Sequence, residues 1–277
     1  MFPAFPMIFA DRQLAERLEA AEGFACMQFA AARKRVHPDT TSTWTRIGGA
    51  DVVFDGIDAP TTQTFGLGLF APLTAGHLDT IEQFFLSRST TPMHEICPFA
   101  GADSMDLLCA RGYRPFEVSN VLYRTIEQPA SHQPEGTRVR VVGMDESELW
   151  SAINARGWAH EHPEFENFLK STGALLVARE NSPCFLAEID GTPAAAGALS
   201  IYKGVALFAG ATTVPEHRRR GLQGALLSER MRYAVEQGCD LAMMVAEAGS
   251  NSQRNAERQG FRVAYTRLKW KLVKAGS

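Results

Sequence analysis

The chain has 277 residues, of which 45% are hydrophobic and 21% charged, with a formal net charge of −3. This is the composition of an ordinary soluble globular protein with one large domain or two average ones. It argues against a general nucleic-acid binder, which needs a basic excess to neutralise phosphates. Five scattered cysteines, an odd number without any C-x-x-C pair, read as reduced thiols in a cytoplasmic protein. The apolar start is broken by Pro3 and Pro6, lacks a basic leader and runs at once into Asp11 and Arg12, so no signal peptide is expected. No window approaches the roughly eighteen apolar residues of a membrane span, so no membrane partner is expected.

In chain order, residues 64–70 read as a strand and residues 77–88 as a helix, with Leu78, Ile81 and Phe85 at core spacing and Phe84 beside them. A strand ending near Ile96 follows, then a short helix from Ser104 to a glycine stop at Gly112, and a strand entered through Tyr113 and Arg114. The polar stretch with Pro129, Pro134 and Gly136 marks a linker, dividing the chain into 1–127, a linker at 128–136, and 137–277. Beyond it come a strand at 138–142, helices at 144–157 and 163–171, and strands at 184–189, 194–202 and 205–213, with Asp190 and Gly191 as a hairpin turn. A helix at 220–237 has Leu227, Met231, Ala234 and Val235 on one face and Gly238 as its stop. A buried strand at 240–245, a helix at 252–259 and a long strand at 261–272 complete a βααβββαβαβ order, an α/β domain with a mixed sheet.

The two halves share a pattern at constant offset. The segment from Ser104 to Arg114 matches that from Ser252 to Arg262, Gly101 matches Gly249, and the strand ending near Ile96 matches the one ending near Met244. Duplication is the inference.

The chemistry is concentrated between Val214 and Leu227. A helix start exposes N–H groups without intrahelical acceptors, and its dipole favours negative charge. Gly221 and Gly224 let a ligand approach these amides, and Arg218, Arg219 and Arg220 add positive charge. Neither a Rossmann fingerprint nor a Walker loop is present, so a phosphate site of another type is implied.

This segment resembles the acyl-CoA-binding turn of the GNAT superfamily of N-acetyltransferases. That pattern is Arg or Gln, two variable residues, Gly, one variable residue, and Gly or Ala; Arg218 and Gly221 meet it, while Gln223 stands at the last place. The element order and the junction at Gly260 and Phe261 are similar too, covering about residues 138–272. The resemblance implies a tandem GNAT-like acyl-CoA N-acyltransferase fold, α/β (α+β) with a mixed central sheet flanked by helices. Acetyl-CoA or another acyl-CoA would be the co-substrate, with no metal. Thr212 and Val214 would offer backbone groups to the pantetheine arm, and amides of Arg219, Arg220, Gly221, Gln223, Gly224 and Ala225 would hold the pyrophosphate, with the thioester in a splay between the strands ending at Thr213 and Val245.

The catalytic groups are less defined. A tyrosine that serves many family members as the acid is replaced here by Ala256. Ser252, Asn255 and Tyr265 are candidates for contacts near the sulfur, and Asn251 is either a ligand or the cap of its helix. Glu247 is the first choice of base, followed by Glu188, Glu216 and the group His160, Glu161 and His162, whose spacing does not suit a metal. In the N-terminal half the equivalent turn at 71–79 has no arginine and one glycine, so phosphate binding is not expected there. That half would shape an acceptor groove, for which Trp44 and Trp158 are candidate lining residues. The reading is an N-acetyltransferase acting on a primary amine of a small molecule or peptide by direct attack in a ternary complex, with a homodimer compatible. The alternative is a catalytically inactive CoA-binding regulator or sensor.

Overall fold

The computed structural model describes residues 8–57, 59–126, 134–159 and 166–273. The expected linker lies largely outside them, as does the group His160, Glu161 and His162. By spatial contact the chain forms two compact units, one of Met1–Thr125 with Met243–Ser277 and the other of Ile126–Ala242.

The second unit contains β6 (Thr137–Val141), α4 (Ser147–Ala159), α5 (Glu166–Ala178), β7 (Cys184–Ile189), β8 (Thr192–Tyr202), β9 (Val205–Thr213) and α6 (Leu222–Glu236). Strands β6 to β9 pair in sequence order, all antiparallel. The turn between β7 and β8 is the expected one: Asp190 (φ 50°) and Gly191 (φ 78°) are both left-handed, as a tight hairpin of right-twisted strands requires. α4 packs on β8 and β9, and contact is very close where Gly157 meets Thr212, since a Cβ on Gly157 would stand 2.0 Å from the threonine hydroxyl.

The first unit contains α1 (Arg12–Val36), β1 (Thr43–Ile47), β2 (Ala50–Phe54), β3 (Gln63–Phe65), α2 (Ala75–Leu86), β4 (Met93–Ile96), α3 (Ala102–Ala110) and β5 (Tyr113–Thr125). β10 (Leu241–Glu247) crosses into this unit, and α7 (Asn251–Arg258) and β11 (Arg262–Leu272) lie in it. Its strands run in the order β1-β2-β3-β4-β11-β5, antiparallel except for β3 with β4, which makes the sheet mixed. α1 was not foreseen from sequence. Asp11 caps it by accepting from the Leu14 amide at 2.9 Å.

The likeness of the two copies is visible in the backbone. Helix α3 leads through Gly112 (φ 87°) into β5, as α7 leads through Gly260 (φ 84°) into β11, and Gly101 and Gly249 precede the two helices with φ of 85° and 78°. Yet β4 does not pair with β5, the strand that follows it. β11 lies between them, antiparallel to both. The sequence reading kept 137–277 together, whereas this insertion draws residues 243–277 into the unit built by the N-terminal half.

Trp270 of β11 is the clearest sign of that attachment. It is buried in a core with Val52, Leu78, Ile81, Phe85, Ile96, Leu108 and Tyr113. Replacing a buried tryptophan by alanine typically costs about 3–5 kcal/mol. Trp270→Ala is therefore expected to lower the stability of the first unit by that order in urea denaturation followed by circular dichroism. An unchanged midpoint would mean that β11 contributes nothing to this core.

Candidate functional site

Strand β9 departs from regular pairing before it ends. Ala198 pairs with Ala209, but Ala196 pairs with Thr212, so two residues of β9, Gly210 and Ala211, oppose the single Gly197. Gly210 adopts φ 60°, which suits glycine, and the extra residue makes a β-bulge. The chain then passes through Val214 and a single 3₁₀ turn at Pro215–His217 into α6.

The first turn of α6 has the features of an anion site. Gly221 caps it in the left-handed conformation (φ 80°, ψ 0°), and no side chain accepts from the first-turn amides. The Ala225 amide is bonded to the Gly221 carbonyl at 3.1 Å, so the amides of Leu222, Gln223 and Gly224 precede the helical ladder. Gly221, Gln223 and Gly224 are exposed, and nothing lies within 4 Å of a Cβ built on Gly224. Arg219 is held at φ 64°, an unfavourable conformation for a side-chain-bearing residue and of the kind that accumulates at functional sites. Arg219 and Arg220 are exposed beside the turn, and Arg220 is within 3.2 Å of His217 Nδ1.

Other residues expected to contact the cofactor have internal duties. The Val214 amide donates to the Ala194 carbonyl at 3.0 Å, and its carbonyl accepts from His217 at 3.1 Å. Arg218 turns inward, with Nε donating to the Thr213 carbonyl (3.4 Å) and Nη2 to that of Gly157 (3.2 Å). Thr212 is buried against Gly157. Gln223, the departure from the family pattern, points its Nε2 at Thr213 Oγ1 (2.9 Å), tying the start of α6 to the end of β9 while its amide stays in the first turn. Ala225, two residues further on, is buried, and its amide, bonded to the Gly221 carbonyl, is not free for a ligand.

The remaining candidates lie in the first unit. Glu247 ends β10, exposed, with its carbonyl accepting from Ser250 at 3.2 Å. Ser250, not Asn251, caps α7, its hydroxyl accepting from the Gln253 amide at 3.2 Å. Asn251, Ser252 and Asn255 are exposed on α7. Tyr265 is buried in β11 and donates to Glu19 Oε1 of α1 at 2.8 Å. Burial and the neighbouring carboxylate raise its phenol well above the usual range, which makes it a reluctant proton donor.

Around Glu19 lies a network that sequence reasoning missed. Arg267 is buried and ion-paired with Glu19 (3.1 Å), Glu22 (2.6 Å) and Glu95 (2.9 Å). Burial raises the Glu19 carboxyl to about 7, with Arg267 pulling the other way. Two alternative bases are engaged as well: Glu188 with Arg140 at 2.8 Å, and Glu216 with Arg156. Trp44 is partly exposed and Trp158 half-buried.

In the first unit the turn at 71–79, unlike the start of α6, has a side-chain cap. Thr74 caps α2, accepting from the His77 amide at 3.2 Å. The Phe70 ring lies where a Cβ on Gly66 would be, 2.3 Å away. Among the described residues, no group of three His, Cys, Asp or Glu side chains is placed to hold a metal ion.

Residues 146–261 match the model of the acetyltransferase (GNAT) family. This stretch is a GNAT acetyltransferase domain. The whole chain is similar in fold to a GCN5-related N-acetyltransferase from Kribbella flavida, with a TM-score of 0.63 at 20% identity, covering 91% of this chain and 96% of that one. A tandem GNAT protein from the clavulanic acid biosynthesis pathway gives a TM-score of 0.60 at 12% identity and covers 98% of both chains. A GCN5-related N-acetyltransferase from Sphaerobacter thermophilus gives 0.52 at 17%, covering 91% and 92%. Among curated proteins none matches the sequence. The fold is thus that of tandem GNAT proteins, and the GNAT domain includes the whole passage from β9 into α6. No helix among the described residues is long and apolar enough to cross a membrane.

The open space at Gly224 permits a clean test of the turn. Aspartate at this third helical position should leave stability within about 0.5 kcal/mol or raise it slightly, because a carboxylate suits a helix start. The same charge should repel a bound pyrophosphate by enough to weaken CoA on the order of tenfold or more. A thermal-shift titration checks both at once: Gly224→Asp should keep its unliganded melting temperature and lose the acetyl-CoA-dependent rise.

Proposed function

We propose that the protein is an acyl-CoA-dependent N-acyltransferase, using acetyl-CoA or another acyl-CoA, with a primary amine of a small molecule or peptide as acceptor. The observation that carries this reading is the uncapped first turn of α6, where free amides, a left-handed glycine and two exposed arginines meet at the end of a bulged strand. Such a turn suits a pyrophosphate: the amides of Leu222, Gln223 and Gly224 precede the helical ladder at a helix start whose dipole favours anions, and Gly224 leaves room for it. The side chains of Arg218 and Gln223 contribute by fixing the turn to β9 rather than by touching the ligand.

When bound, the acyl-CoA supplies a thioester carbonyl: a neutral amine nitrogen bonds to it as the carbon–sulfur bond breaks, and the departing thiolate takes a proton. The chain must then provide a group that removes the ammonium proton. Glu247 is the proposed base. It is exposed, and among the described residues no ion pair holds it, whereas Glu188 and Glu216 are each paired with an arginine. Ser252, Asn251 and Asn255, exposed on the helix that follows, are proposed as polar contacts.

The test is release of free thiol from acetyl-CoA in the presence of a panel of polyamines, aminoglycosides, amino acids and peptide N-termini. Turnover with at least one amine is expected, and Glu247→Gln should lower kcat by about a hundredfold with little change in CoA affinity. Binding of CoA without turnover on any amine would instead favour a CoA-binding regulator.

A further inference from the structure

The core-facing stripe of α6 contains one charged residue. Arg230 is 2% exposed and sits among Leu226, Leu227, Met231 and Ala234. Its Nε donates to the Leu226 carbonyl at 3.2 Å, and its Nη1 donates to two strand carbonyls, Ala198 of β8 at 3.1 Å and Ala209 of β9 at 3.4 Å. The guanidinium lies 5.1 Å from the centre of the Phe208 ring. Among the described residues no carboxylate pairs with it, so all its neutral partners are carbonyls and a ring face. Burial lowers its pKa to about 10, which leaves it charged at neutral pH.

A buried cation without a counter-ion is a costly way to fill a core, and a methionine of similar length would pack with less penalty. The position explains what the charge does. Ala198 and Ala209 are the last regular pair before the bulge, and the next residue of β8 is Gly197, opposite Gly210 and Ala211. A Cβ on Gly197 would stand 3.2 Å from the guanidinium carbon, so the glycine makes room for it. The same helix begins with the proposed cofactor turn.

We propose that Arg230 is a positioning residue that locks the β9 bulge to α6, so that the strand backbone holds a fixed line relative to the helix start. Its catalytic consequence rests on the acyltransfer reading. With the bulge loosened, bound CoA would keep its phosphate contacts while the thioester lost alignment, and kcat would fall without a matching loss of affinity.

Two variants test this, with one readout that does not depend on activity. In Arg230→Met, hydrogen exchange of the unliganded protein should accelerate about tenfold or more at the amides of residues 210–212, with the interior of α6 unchanged. In Arg230→Lys, whose ammonium can still donate to a carbonyl, the acceleration should be smaller. Turnover should fall about tenfold or more in the methionine variant, with acetyl-CoA affinity within about threefold of wild type and partial recovery in the lysine variant. Exchange at 210–212 that stays at the wild-type rate, or rises equally throughout β8, β9 and α6 in both variants, would overturn the proposal. Should wild type turn over no amine, acyl transfer fails as the function and the exchange experiment still decides the role of Arg230.

Discussion

The chemistry of the second unit depends on how β9 hands the chain to α6. One extra residue at Gly210 and Ala211 breaks the ladder, a 3₁₀ turn follows, and two left-handed residues, Arg219 and Gly221, lead into the first turn of α6. Each departure from regular structure costs free energy, and several surrounding contacts hold the turn in place. Arg218 clasps the carbonyls of Thr213 and Gly157, Gln223 clasps the Thr213 hydroxyl, and Val214 is bonded to Ala194. The amides of the helix start are the groups left without a side-chain cap. A helix end in that condition is satisfied by water or by a ligand.

The first unit shows the converse arrangement. There the helix start is not free: Thr74 caps α2, its hydroxyl accepting from the His77 amide. This unit's polar investment lies instead in its core, where Arg267 holds Glu19, Glu22 and Glu95. Breaking such a buried network leaves uncompensated charge. Because Arg267 and Trp270 both come from β11, the last strand contributes to this unit both the cation of its buried network and a tryptophan of its apolar core.

Much of this was legible in the sequence because the elements of the second half have clear periods and stops. Strands β7 and β9 have the bounds the alternation gives, and Asp190 and Gly191 form the turn they announce. Leu78, Ile81 and Phe85 are buried as their spacing requires. Helix α1 was invisible for a physical reason: its buried face is mostly Ala15, Ala21, Ala25, Ala30, Ala32 and Gly23, small residues that permit close approach but give little hydrophobic contrast, and it includes the buried Glu19. The placement of β11 could not be read either, since strand order depends on long-range pairing that no local pattern encodes. Within the site, glycines and arginines disclosed the turn, but not that Arg218 faces inward or that Tyr265 is buried beside Glu19. Arg230 left one faint trace, a charge on an otherwise apolar helical stripe.

The most direct measurement of the central claim is hydrogen exchange of the wild-type protein with and without acetyl-CoA, resolved at the amides of residues 219–225. A ligand held by the helix start should slow Leu222, Gln223 and Gly224 selectively, while the amides of the Thr74-capped turn of α2 exchange as before. Saturating acetyl-CoA that left the α6 amides unprotected, or protected the α2 turn instead, would contradict the account.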